Sequence, residues 1–238
     1  MQTSDNKSAL RYAFPKTLPV MAGYLVLGFG FGLLLQSKGY NVLWAVLMSV
    51  TIYGGSMQYI TIDLLSAGAG LLTSAVMTLM IHARHLFYGI SMLAKYRDIK
   101  KAKAYLIFGL TDETYSLVCT EEVPEGIDRG AFYFWVTILD QSYWVIGSAI
   151  GSLFGQLIRI NTKGVEFSMT ALFVVILTDN LLKKERRLSA LLGLGVSLVC
   201  LIVFGSDRFL IPSMIGITVV LMLLRPLLQK QTGKEERV

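Results

Sequence analysis

Midway along an apolar stretch from Leu71 to Ala94 the chain places His82-Ala83-Arg84-His85. The stretch is long enough to cross a hydrocarbon core of ~30 Å as a helix. An arginine at its centre costs about 3 kcal/mol on insertion scales unless it faces protein, water or a counter-charge. Whatever this chain folds into must therefore bring Arg84 a partner from elsewhere in the sequence.

The remaining residues define the setting. Of 238 residues, 54% are hydrophobic and 16% charged, and the mean hydropathy is +0.58. These values describe an integral membrane protein with no polar stretch long enough to fold separately. The net charge of +6 lies in short loops between apolar runs, where the positive-inside rule puts it, so nucleic acid is not the partner. Cys119 and Cys200 both sit inside apolar runs and form neither a disulfide framework nor a CxxC site. The polar start, Met1 to Lys16, lacks a signal-peptide pattern, so no cleavage is expected.

Apolar runs at about 17–36, 42–66, 71–94, 104–120, 131–157, 165–182, 188–205 and 209–228 predict an all-α polytopic membrane protein of about eight helical segments. Pro15 and Pro19 are expected to open the first. Gly28, Gly30 and Gly32 in the first run, and Gly147, Gly151 and Gly155 in the fifth, allow close helix contact. If all eight cross with the N-terminus inside, twelve loop cations lie inside and nine outside. If segments two and six instead enter and leave on one side, the division becomes eighteen to three. That second plan predicts two inverted repeats, 15–120 and 131–228, each with a broken or re-entrant helix, flanked by a cytoplasmic tail 1–14 and a polar tail 229–238. Thr61-Ile62-Asp63-Leu64-Leu65 and Thr178-Asp179-Asn180-Leu181-Leu182 echo one another within it.

Four clusters carry candidate chemistry. Gly54, Gly55 and Ser56, followed by Gln58 and Tyr59, either open segment two or merely pack tightly, and the charge count selects the opening. A helix starting at Ser56 would aim its positive end at a carboxylate. In segment three, His82, His85 and Gly89 share one face, and Arg84, Tyr88 and Ser91 another. Arg84 either clamps a substrate carboxylate or pairs with a buried acid, and His85 either relays protons or packs. Asp112 and Glu113 in segment four supply the acids, one to neutralise Arg84 and the other to hold an ammonium or a proton, unless both lie near the membrane surface. Asp140 adds a carboxyl in segment five, and Asp179 and Asn180 lie near the end of segment six. Glu166 opens segment six, where an acid suits a helix start without any function. No cofactor is implied. His82, His85, Asp112 and Glu113 have no recognised metal spacing, and HExxH, GxSxG, Walker A and GxGxxG patterns are missing.

The motifs resemble a known family. His82-Ala83-Arg84-His85-Leu86-Phe87-Tyr88-Gly89 is similar to the N-x-R-H-x-x-Y-G signature of the AzlC family, the large subunit of branched-chain amino acid exporters, with His82 where Asn is usual. Gly55-Ser56-Met57-Gln58-Tyr59 resembles its G-x-x-Q-F motif, Thr111-Asp112-Glu113-Thr114-Tyr115 its D-E-T-[FY] motif, and Gly164-Val165-Glu166-Phe167 its G-[LIV]-[DE]-F opening. The resemblance implies export of leucine, isoleucine and valine, with methionine a further candidate, beside a small AzlD-type membrane subunit.

Together these readings predict a multi-pass inner-membrane antiporter with its N-terminus in the cytoplasm. The substrate carboxylate would meet the break at Gly55-Ser56 or Arg84. Its ammonium would meet Asp112, Glu113 or Asp140, and its tail Phe87, Tyr59 or Met57. His85, Asp112 and Glu113 are the proton-coupling candidates. Two alternatives stay open: an embedded enzyme using His85 with Asp112 or Glu113 as acid and base, and a structural subunit without its own substrate site.

Overall fold

The structure, a computed structural model, describes residues 2–99, 102–157, 167–182, 184–206, 209, 212–213 and 215–224. It divides into two compact units, 1–168 and 169–238. The regular structure of the described residues is helical throughout, as a bilayer demands of an uncovered backbone.

In the first unit the helices are α1 (Gln2–Ser37), α2 (Val42–Thr51), α3 (Gly55–Ser66), α4 (Leu71–Met92), α5 (Lys103–Phe108), α6 (Asp112–Thr120) and α7 (Arg129–Leu157). The axis of the unit is the packing of α1 along α7. Their partners advance together, Asn6 with Trp135, Thr17 with Tyr143, Gly28 with Ser148 and Gln36 with Gly155, so the two helices run parallel. The expected glycines make this possible. A methyl group on Gly28 would sit 2.9 Å from the Trp144 carbonyl oxygen, one on Gly147 would sit 2.8 Å from that of Leu25, and one on Gly32 or Gly151 would run into the opposing backbone. Phe31 and Leu35 are fully buried and Trp144 nearly so.

Two antiparallel hairpins fill the flanks of this pair from opposite ends. The chain leaves α1 at its far end (Ser37), descends along α7 as α2 until Gln141 Nε2 donates to the Val50 carbonyl oxygen, and reverses at residues 52–54. It then climbs back as α3, past the Leu27 carbonyl oxygen that Tyr59 bonds at 2.8 Å. Segment two is thus two helices joined by a reversal at residues 52–54, with the break where the glycines were expected to open it. Tyr53 makes the reversal with φ 40, in the left-handed region a bulky side chain rarely enters.

α4 crosses back towards the near end (Asn6). There the chain turns again, entering as α5, reversing at Gly109-Leu110-Thr111, and returning as α6 to put Glu121 beside Lys16 and Tyr12. The single span expected over 104–120 is therefore wrong. Lys95, Asp98 and Ile99 before the segment and Glu121, Glu122 and Asp128 after it line one cavity together with Asn6, so segment four opens and closes on the near side. Six and nine residues of helix make ~9 and ~14 Å of rise, too short to cross alone.

Three further expectations change. The prolines do not open α1 but lie inside it, because Ala9 and Ala13 are fully buried and Asn6 and Tyr12 hold the upstream turns by side-chain bonds. This also makes the expected tail 1–14 helical from Gln2 onward. α7, assigned by sequence to a second repeat opposite in sense to the first, instead lies parallel to α1 and inside the first unit.

The second unit contains most of α8 (Phe167–Leu182), α9 (Lys184–Phe204) and α10 (Ile215–Leu224). α8 runs without a break where segment six was expected to break. Within α9, Arg187–Phe204 is apolar enough to cross a membrane, with mean hydropathy 2.2, and Gly216 of α10 abuts Val196 of α9. Gly164, Val165, Glu166, Arg225 and the tail 229–238 lie outside the described residues, as does the Asp179 side chain.

Candidate functional site between the hairpin tips

Each hairpin reverses inside the unit, so each return helix starts there. α3 begins at Gly55 with Gly54 as its N-cap and no side-chain cap, whereas Thr111 caps α6 by accepting from the Thr114 N–H. Asp112 and Glu113 occupy the first turn of α6, where the positive end of a helix favours carboxylates. The cost of two adjacent acids in an apolar run is met in this way.

Arg84 of α4 joins the two starts. Its Nη2 donates to Ser56 Oγ at 3.1 Å and lies 2.9 Å from Asp112 Oδ2. The predicted face of α4 then continues along α6. Tyr88 donates to Asp112 Oδ1 at 2.7 Å, Ser91 to the Tyr115 hydroxyl at 3.1 Å, and Lys95 to the Val118 and Cys119 carbonyl oxygens. In this structure Arg84 therefore has an acid partner in Asp112.

The other predicted face of α4 borders a cavity. His82 and His85 meet through Nδ1 atoms 3.1 Å apart, one ring donating to the other. Both line a cavity of 640 Å³, within the ~300–1,000 Å³ of small-molecule pockets. Tyr53, Met57, Leu64 and Phe108 give it apolar walls, and it extends along α3 and α4 to Gly68 and Ser74 at the far end. Gly54 backs the histidines, since a methyl group there would run into the His82 ring.

A second polar group lies behind the tips, on α1, α6 and α7. Tyr24 OH is 2.7 Å from Glu113 Oε2 and 2.6 Å from Thr111 Oγ1. Thr111 Oγ1 is 3.0 Å from Thr114 Oγ1, which is 2.8 Å from Asp140 Oδ2. Asp140 is fully buried, and its Oδ1 has no hydrogen-bond partner among the described residues.

The predicted residues thus divide. Ser56, Arg84 and Asp112 are bonded together, while Glu113 and Asp140 belong to the second group. Gln58 and Tyr59 brace the first break. Gln58 accepts from Trp144 Nε1 at 2.8 Å and donates to Ser49 Oγ, and Gly55 lets the Trp144 ring approach. Phe87 is half exposed, so the apolar wall is supplied by Met57, Leu64 and Phe108 instead. Sequence reasoning missed Tyr24, Tyr53, Thr114 and the tip at Gly109. Gly109 followed by Thr111-Asp112-Glu113 is a helix-start signature that marks the second break. Nothing local marks Tyr24. Among the described residues no three His, Cys, Asp or Glu side chains are arranged to hold a metal ion.

Comparison with known proteins bears on this site. A family described as AzlC protein matches residues 19–158, which contain both hairpins. The branched-chain amino acid transport protein AzlC of Bacillus subtilis is 46% identical over 94% of this chain and 88% of its own. Membrane proteins of Haemophilus influenzae (44% identical, 90% of this chain, 88% of its own) and of Helicobacter pylori (38%, 93% and 97%) also match. No solved structure matches the chain.

Proposed function

The chain belongs to the AzlC family, and on that premise we propose that it exports branched-chain amino acids across the inner membrane in exchange for protons. The observation that carries the reading is the 640 Å³ cavity, apolar along α3 and α4, with the histidine pair in its wall and Gly54, the N-cap of α3, directly behind His82. A zwitterion with an aliphatic tail needs that combination. Its carboxylate meets the uncapped start of α3 at Gly54, Gly55 and Ser56 together with Arg84. Its ammonium meets Asp112, Glu113 or Asp140, and its tail lies on Met57, Leu64 and Phe108. Gln58 and Tyr59 keep the break in shape, and His85, Asp112 and Glu113 couple protons.

Charge supports a cytoplasmic N-terminus. Among the described residues of the first unit, Lys7, Arg11, Lys16, Lys95, Arg97, Lys103 and Arg129 flank the near end and Lys38 the far end. The cavity then opens outward. In place of the repeats 15–120 and 131–228, a shorter inverted plan fits this reading: α1 with α2–α3, and α4 with α5–α6, each a span followed by a hairpin, in opposite senses. The AzlD-type subunit enters through the family resemblance, and co-purification tests it.

The direct test is counterflow in liposomes holding the chain with and without that subunit. Labelled leucine accumulates against unlabelled leucine, isoleucine and valine compete, and a pH gradient drives net movement. Accumulation equal to that of protein-free vesicles rejects the proposal.

A further inference from the structure

Glu113 and Asp140 are joined by an unbroken row of hydroxyls: Glu113, Tyr24, Thr111, Thr114, Asp140, with successive oxygens 2.7, 2.6, 3.0 and 2.8 Å apart. All four separations are hydrogen-bonding distances, so the row needs four hydrogens. Its three hydroxyls bring three. The fourth must come from one of the two carboxyls.

From this count we infer that Glu113 and Asp140 hold one proton between them, which passes from one to the other along Tyr24, Thr111 and Thr114. With the proton on Glu113, every hydroxyl donates towards Asp140. With it on Asp140, every hydroxyl donates towards Glu113. Transfer breaks four O–H bonds and forms four, moves one unit of charge, and needs no other reactant. Both orders leave Thr111 Oγ1 able to accept from the Thr114 N–H that it caps. The bare Asp140 Oδ1 agrees, because a neutral carboxyl tolerates an unpartnered oxygen far better than a carboxylate does.

The groups facing the pair are Tyr24 of α1, Tyr53 at the first tip, Arg84 of α4, Tyr105 of α5 and Asp112 of α6. Arg84 is the cation among them and is engaged by Asp112. The shared proton deepens the proposed proton exchange and rests on it for its physiological use, but its existence is testable without transport.

The experiment is infrared spectroscopy of the purified full chain at neutral pH, reading the protonated-carboxyl band with and without 13C-labelled aspartate. Glu113→Gln and Asp140→Asn each put an amide N–H at one end of the row and so supply the missing hydrogen. Either substitution alone therefore ionises the remaining acid and abolishes the band. A band that survives either substitution, or that the wild type lacks, overturns the inference. Thr114→Val guards against misfolded variants by cutting the row while leaving both acids. In that background, adding Glu113→Gln leaves the Asp140 signal unchanged, whereas an undiminished response to Glu113→Gln overturns the role of the hydroxyls. Leucine counterflow is measured in parallel. Loss of the band in both variants, with no proton-coupled counterflow by the wild type, keeps the shared proton and rejects the transport reading; coupled counterflow with a surviving band does the reverse.

Discussion

The two hairpins solve one problem by different chemistry. Both reverse among apolar neighbours and leave the start of a return helix without its preceding turn. The α5–α6 tip supplies its own remedy: Thr111 caps the helix and two acids sit in its first turn. The α2–α3 tip has glycines, a left-handed Tyr53 and no side-chain cap, and it borrows from outside, using Arg84 on Ser56 and Trp144 on Gln58. A tip that caps itself holds its shape without outside help. One that depends on neighbours is a place where a ligand can substitute for them.

Labelling tests whether the hairpins really open at opposite ends. With Cys119 and Cys200 replaced by serine, Arg97→Cys and Glu125→Cys should react with an impermeant reagent from one face only, and Ala67→Cys from the other. Reaction of Arg97→Cys and Glu125→Cys from opposite faces would restore segment four as a full crossing. Next in size is Arg84→Ala, which removes the cation shared by both tips. Counterflow should fall roughly 100-fold or more, on the scale of the ~3 kcal/mol of a charge-assisted bond lost without substitute, while membrane insertion is unchanged. Normal counterflow by that variant would detach the tips from transport.

Smaller effects separate the two remedies. Gln58→Leu strands the Trp144 indole N–H and the Ser49 hydroxyl, costing about 1–3 kcal/mol of stability in a thermal melt. Thr111→Ala removes the cap together with the hydroxyl that Tyr24 and Thr114 share, and should likewise cost about 1–3 kcal/mol. An unchanged melt would show that this tip does not cap itself. The smallest effect lies at the near end of α6. The Lys16 ammonium bonded to it, and after that the Tyr12 hydroxyl, hold the Glu121 carboxyl below the ordinary carboxylate range. A folded-state value depressed in this way contributes stability above the unfolded-state value of ~4.3 and loses it as the pH falls through the folded one. Glu121→Gln should therefore flatten the acid limb of a stability titration by no more than the ~0–1 kcal/mol of an exposed ion pair. An unchanged acid limb would show that this end is not held by the pair.

Much of this was legible along the chain. Gly54-Gly55-Ser56, set against the distribution of cations, located the first break, and the spacing of Arg84, Tyr88 and Ser91 on α4 announced a polar stripe that α6 completes. The glycines of α1 and α7 announced that those helices meet, though not that they run parallel. Segment four was misread because fifteen or so residues of mixed apolar and polar character look alike whether they cross or fold back. Its Thr111-Asp112-Glu113 start was read as expensive charge instead of as a cap.

Hydropathy, loop charge and helix-start residues are local properties, and from them follow a polytopic helical chain, a break at residue 54 and an arginine that must find an acid. Which acid it finds, which end each hairpin opens to, and the alignment of Tyr24, Thr111 and Thr114 between Glu113 and Asp140 depend on residues up to 89 positions apart meeting within 3 Å. No local pattern carries that information, because a hydrogen bond is decided by distance in space and not by separation along the chain.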